Sequence, residues 1–255
     1  MRVQVKDGLY RVRVKLGQSN LLIVSDRAEA VSAALTELTL RKAELEAYVA
    51  QNPFYRYSLE PVQVESWAPR AVRLAARAAE VAGVGPMAAV PGALAELAVE
   101  AMAEVEAKVG VVEDGGEIAA FSSRPLTVAV YAGASPLSGR LGFHLEPGDF
   151  PLGIATSSAT VSHAVNFGRA DAAVVLADSP ALADAAAKAV CNAVTGENIE
   201  ASIEAGLRRA REIPGVRGAL VVRGDRVGFT GRLPRLASLK GGPSDVLRAA
   251  LHIEV

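Results

Sequence analysis

The sequence predicts an α+β fold, and three observations carry that expectation. Strand-like segments come in antiparallel groups. Pairs of helices separate those groups instead of alternating with single strands. The order of strands, helices and strands runs roughly twice along the 255 residues. The length suits one large domain or two closely joined lobes with a sizeable core. No flexible linker or low-complexity tract divides it, so residues 1–255 read as a single domain whose element order suggests an internal duplication, without residue-level repetition.

Arg2 to Ser25 alternates in the strand manner, with Asp7-Gly8 and Gly17-Gln-Ser-Asn20 as turns, which gives a hairpin and a third strand. Asp26 with Glu29 reads as a capping pair for an amphipathic helix reaching about Ala50, with Pro53 just beyond its end. Asn52-Pro-Phe-Tyr-Arg-Tyr57 gathers three aromatics in a connection expected to pack over the sheet. A helix follows Pro69 to about Ala82, and after Gly83-Val-Gly-Pro-Met87 an Ala-rich helix ends near Lys108. Within it Glu96, Glu100 and Glu104 recur every four residues, marking a solvated helix face rather than a membrane span.

Strands are expected at 109–113, 118–121, 126–131 and 141–145, and Asp171-Ala-Ala-Val-Val-Leu-Ala177 reads as a buried strand. Ser179-Pro180 caps and starts the next helix, and Gly196 terminates it. Asn198 to Glu212 is a further amphipathic helix. Residues 216–223 and 226–230 pair as a hairpin about Gly224-Asp225.

A formal net charge of −1 and an aromatic content of 5% exclude the basic, stacking surfaces that nucleic acids and anionic membranes require. The single cysteine, Cys191, excludes an internal disulfide and suits a reducing compartment. The alternating start, Met1-Arg-Val-Gln-Val-Lys-Asp-Gly8, holds no apolar core of signal-peptide length. A soluble, cytoplasmic protein is expected. Its Ala-rich helices pack equally well within one chain or across a homo-oligomer.

Four segments stand out for chemistry. Gly83 to Glu96 opens a helix with backbone freedom at Gly85, Pro86 and Met87; its free amides suit phosphate oxygens, and the competing reading is a tight turn with close packing. Glu113-Asp-Gly-Gly-Glu117 is a hairpin turn by its Asp-Gly, while its three carboxylates also offer oxygen ligands to a hard cation. Ile154 to His163 is rich in hydroxyls, with Thr156, Ser157, Ser158 and His163 as candidate ligand contacts or as groups that bond their own backbone. The Ser-His pair there lacks the Gly-x-Ser-x-Gly of a nucleophile elbow.

The fourth is the helix Leu182 to Val194, whose polar residues are Asp184, Lys188, Cys191 and Asn192. At roughly 100° per residue they share one face, which is either the exposed side or the wall of a wet cavity. Asp184 and Lys188 at i, i+4 also have the spacing of a helical salt bridge.

Together these segments resemble an uncharacterised prokaryotic protein family related to the ApbE flavin transferases. Val84-Gly-Pro-Met-Ala-Ala-Val90, Glu113-Asp-Gly-Gly-Glu117, Gly153-Ile-Ala-Thr-Ser-Ser158 with Ser162-His163, and Ala183-Asp-Ala-Ala-Ala187 carry the resemblance, with support from 48–61 and Asn166-Phe-Gly-Arg-Ala-Asp171. It implies two related antiparallel sheet-plus-helix halves with a cleft between them. In the transferases the cleft holds FAD, and a magnesium ion helps move FMN onto a protein threonine. Asp184 matches the aspartate that holds that metal, and Asp114 is a second candidate ligand. Where the pattern expects a threonine four residues later this chain has Lys188, and an ammonium repels a cation.

The resulting expectation is a protein binding a small anionic ligand, FAD or another nucleotide, without the usual magnesium site. Gly85, Pro86, Met87, Gly115, Gly116, Thr156, Ser157, Ser158, His163, Lys188 and Asn192 are its candidate contacts. An interaction protein without a small ligand and a magnesium-dependent FAD:protein FMN transferase are the alternatives.

Overall fold

The computed structural model describes residues 1–161, 165–240 and 242. Arg2–Lys6 (β1), Leu9–Leu16 (β2) and Ser19–Ser25 (β3) form an antiparallel meander. Four helices follow: Ala28–Gln51 (α1), Pro53–Tyr57 (α2), Arg70–Ala82 (α3) and Val90–Glu104 (α4). The chain returns as the hairpin Val109–Asp114 (β4) and Glu117–Ser122 (β5), then leaves the main sheet with Leu126–Ala129 (β6) and Leu141–Leu145 (β7). Leu152–Ser157 (β8) and Ala172–Ala177 (β9) precede Pro180–Ala193 (α5) and Ile199–Glu212 (α6). Val216–Arg223 (β10), Arg226–Gly231 (β11) and Arg235–Ser238 (β12) come last.

Nine strands make one sheet in the order β1-β2-β3-β4-β5-β8-β9-β10-β11, and every neighbour is antiparallel. The expected α+β class and antiparallel pairing hold. The order strand, strand, helices, strand, strand occurs as β2–β5 and again as β8–β11. The two runs join edge to edge where β5 pairs with β8, so they share one sheet.

Strand periodicity of two sends alternate residues to two cores. Ile23, Val112, Ala155 and Val175 face the helices, whose contribution is mostly alanine. Leu22, Val111, Ile154, Val174 and Leu176 face Phe143 and Leu145 of the three-stranded sheet β12-β7-β6. Cover on both faces explains why β9 is buried throughout and reads as an unbroken apolar run.

Several expectations are corrected. Asp26 does not cap α1, whose N-cap Arg27 makes no side-chain cap bond. Because β3 pairs with β4, the Asp26 carboxylate instead accepts the N–H groups of Lys108 and Val109 at 3.0 and 2.9 Å. The aromatic connection is α2, and it packs on helices rather than the sheet: Tyr55 meets Tyr48 of α1 edge-to-face and donates its hydroxyl to the Val72 carbonyl of α3.

Glu96 lies off the solvated face. It accepts the Ser179 hydroxyl at 2.7 Å and the Ala181 N–H at 3.0 Å, capping α5, while Glu100 pairs with Arg70 and Glu104 is exposed. The stretch Pro86–Glu104 has the length and apolarity of a membrane span, yet α4 packs against α1, α3, α5 and the sheet. Two strands were not expected: β8, within the hydroxyl-rich run, and β12.

Candidate functional site

The polar stripe of α5 is buried. Ser179 caps the helix through the Leu182 N–H, Pro180 starts it, and its first turns lie on β8 and α4. Asp184 is 8% exposed and Cys191 is fully buried, while Lys188 and Asn192 are half-buried. Residues 165–168 cover this stripe. A Cβ on Gly168 would sit 1.7 Å from the Cys191 carbonyl, so only glycine lets that segment approach.

Of the two readings left open for Asp184 and Lys188, the helical salt bridge is not formed. The Lys188 Nζ donates to the Asn166 Oδ1 at 2.8 Å and to the Val165 carbonyl at 3.1 Å. The Ser157 hydroxyl donates to the same Asn166 oxygen at 3.1 Å, and the Asn166 amide donates to the Ser158 carbonyl. Asn192 accepts the Phe167 N–H at 2.9 Å.

Beside this network stand Asp184, Asp114 and Glu117, while alternation turns Glu113 to the other face of the sheet with Val111. Asp184 accepts the Gly92 N–H at 2.9 Å, at the first turn of α4. That amide is therefore committed to a protein carboxylate, which the dipole of α4 favours. Glu113, Asp114 and Glu117 surround the Gly115-Gly116 turn of the β4–β5 hairpin, both of whose glycines have positive φ.

Burial raises the proton affinity of all four. It pushes Asp184 up to about 7, assisted by the charge of Asp114 and opposed by the Gly92 N–H and Lys188. It holds Glu117 well above the usual carboxylate range, with repulsion from Asp184, Asp114 and Glu113 adding to it. Glu113 rises to about 7 through burial and the charge of Asp114, and Asp114 itself is raised by burial. Lys188 is lowered by burial, countered by Cys191, Asp184 and Glu117, and burial pushes the Cys191 thiol up. The site carries fewer charges near neutrality than its formal count.

The structure unites some of the expected residues and parts others. Asp184, Lys188 and Ser157 lie on the helix side of the sheet. Thr156 does not join them. Alternation puts it on the face of Ile154, beside Gly116, where an added Cβ would be 3.7 Å from Thr156 Cβ. Ser158 is spent on a turn, its oxygen accepting the N–H groups of Thr160 and Val161. Gly85 serves close packing: a Cβ there would meet the Ser58 carbonyl at 2.0 Å. Pro86 is buried and Met87 is 37% exposed. His163 lies outside the described residues. Asn166, missed by sequence reasoning, is central, and its place in Asn166-Phe-Gly-Arg-Ala-Asp171 was the available signal.

Magnesium at Asp184 does not fit this arrangement. Among the described residues no three Asp, Glu, His or Cys side chains group as metal ligands. One oxygen of Asp184 is engaged by Gly92, and the ammonium of Lys188 stands one helical turn away.

A family profile described as AbpE bacteria matches residues 2–213. A UPF0280 protein of Methanopyrus kandleri is 41% identical over 237 residues, covering 92% of this chain and 95% of that protein. One from Methanocaldococcus jannaschii is 40% identical over 229 residues, covering 89% and 93%. Among solved structures, the apo flavinyl transferase ApbE of Pseudomonas stutzeri superposes with a TM-score of 0.59 at 15% identity, covering 90% of this chain and 94% of that one. The flavin transferase ApbE of Vibrio cholerae gives 0.56 at 14%, covering 91% and 98%. At these identities the likeness to the transferases concerns the fold.

Proposed function

This chain belongs to the AbpE bacteria family, and from that premise we propose that it binds an anionic ligand of the flavin- or nucleotide-phosphate class where β5, β8 and α5 meet, without magnesium. One observation carries the reading: Lys188 is half-buried and held by neutral oxygens of Val165 and Asn166 instead of by a carboxylate. Its charge is thus kept for a ligand. A lysine binds phosphate as a point charge, and with two of its three donors engaged Lys188 keeps one for a phosphate oxygen.

The neighbouring acids assist rather than repel. Asp184 and Glu117 hold their protons toward neutrality, and a protonated carboxyl donates a hydrogen bond to a phosphate oxygen. Protons then supply the neutralisation that a divalent cation supplies elsewhere.

The test is a titration of FAD, FMN and AMP into the full chain with magnesium and with a chelator, followed by flavin fluorescence and thermal shift. A ligand at about 100 times its Kd adds roughly 2.7 kcal/mol to stability. Expected is saturable binding that ignores magnesium, strengthens below pH 7, and weakens at least about tenfold in Lys188→Ala, the loss of one charge-assisted contact. Binding unchanged by Lys188→Ala overturns the assignment of Lys188. Release of AMP from FAD only with magnesium and an acceptor protein would replace this reading with flavin transfer.

A further inference from the structure

The nine-stranded sheet ends at β11, which among the described residues pairs only with β10. One face of β11 lies under α6: a Cβ on Gly228 would stand 2.6 Å from Ile203 and 2.9 Å from Leu207. On the other face Val227 and Phe229 lie opposite Val222 and Leu220, yet they are 43% and 62% exposed where those two are fully buried. Gly224-Asp225 is a two-residue hairpin turn, so Arg226 bonds back to Arg223, and the backbone N–H and C=O groups of Val227 and Phe229 point away from β10. Apolar side chains and outward backbone groups thus coincide at two residues, which is the template a further strand completes.

α6 runs parallel to β11. Glu200 lies 3.7 Å from Arg226 at the start of the strand, and Arg211 donates to Thr230 at 3.3 Å near its end. Along the side of α6 above this edge stand Glu200, Glu204, Arg208 and Arg211, all exposed and within an arc of about 80°. Acids occupy the first half of the helix and bases the second. A two-fold axis through Gly228 reverses α6, so Glu200 and Glu204 face the partner's Arg211 and the partner's Arg208. Strand spacing near 4.8 Å then sets the two α6 axes about 10 Å apart, a distance at which helices pack.

We propose that β11 and α6 form the interface of a symmetric dimer with a second copy of this chain. The two β11 strands pair antiparallel with Val227 opposite the partner's Phe229, joining the two sheets into one. The opposite edge of the sheet is unsuited to this, because β1 paired with itself about Gln4 sets Arg2 against the partner's Lys6. Nothing in this interface depends on the Lys188 site.

Light scattering on a sizing column, across a concentration series of the full chain, reads the mass. Expected is twice the chain mass at high concentration. Phe229→Lys, at an exposed position, places charge on the apolar side and gives a monomer whose circular dichroism matches the parent. Glu204→Arg and Arg208→Glu each bring like charges together twice per dimer and weaken it about tenfold. Mixed in equal amounts, these two variants regain the parental affinity, because each supplies the charge the other lacks. A chain monomeric at every concentration overturns the proposal, as does a dimer that survives Phe229→Lys or an equal mixture no tighter than either variant alone.

Discussion

Replacing Asp184 by Asn keeps an acceptor oxygen for the Gly92 N–H and removes the ionisable group. In the folded chain that carboxyl, 8% exposed, titrates at about 7 rather than near 3.8. The folded state therefore holds its proton more tightly than the unfolded state. Between about pH 4 and pH 7 unfolding releases a proton, so stability falls as pH rises through that window and levels off above it. At about 1.36 kcal/mol for each tenfold in proton affinity, full ionisation costs the fold roughly 4 kcal/mol as a ceiling. Part of that returns in Asp184→Asn as a lost helix-terminus attraction of about 0.5–1 kcal/mol. Competition with Glu117 for protons reduces it further.

The expected outcome is a variant about 1–3 kcal/mol more stable than the parent at pH 8 and no more stable at pH 4.5. Urea unfolding of both proteins at pH 4.5, 6, 7 and 8 reads the difference directly. A variant less stable by the same amount at every pH would refute the buried-carboxyl reasoning. So would a parent whose own acid-to-neutral trend from these groups runs upward.

Glu96→Ala strips the cap from α5, leaving the Ala181 N–H and Ser179 hydroxyl without their carboxylate partner. A loss of about 1–2 kcal/mol is expected, visible as a melting shift of several degrees and mostly recovered by Glu96→Gln. Gly168→Ala forces a Cβ to within 1.7 Å of the Cys191 carbonyl, so residues 165–168 must lift from α5. That should cost about 1–3 kcal/mol and speed labelling of the Cys191 thiol; labelling at the parent's rate contradicts the covering role of this segment.

Local signals account for what was legible. Asp-Gly and Gly-rich turns punctuate the hairpins β1–β2, β4–β5 and β10–β11, so those strands follow from the residues. β8 did not, because a strand covered on both faces loses alternation and its hydroxyls read as loop chemistry. Once β8 is a strand, period two itself separates Thr156 from Ser157, which composition had grouped. The face shared by Asp184, Lys188, Cys191 and Asn192 was correct, but whether it met water or protein depended on residues 165–168 folding over it. Long-range partners were illegible for the same reason: nothing near Asp26 announces Val109, and nothing near Glu96 announces Ser179.

Asp184 shows how a matching motif can carry a different duty. A carboxylate in an alanine helix, aligned by resemblance with a metal ligand, invites a cation. Here the same carboxylate accepts an N–H at the first turn of α4, and Glu96 of α4 returns the service to the first turn of α5. The two helices thus satisfy each other's free amides, which a buried helix start requires. That reciprocity sets Asp184 in place without any ion. A positive charge one turn along at Lys188 is then compatible with it, whereas a metal-bound Asp184 would face repulsion from that ammonium. An aspartate at this position is therefore accounted for by helix packing, and the binding proposed above is tested at Lys188, which takes no part in that packing.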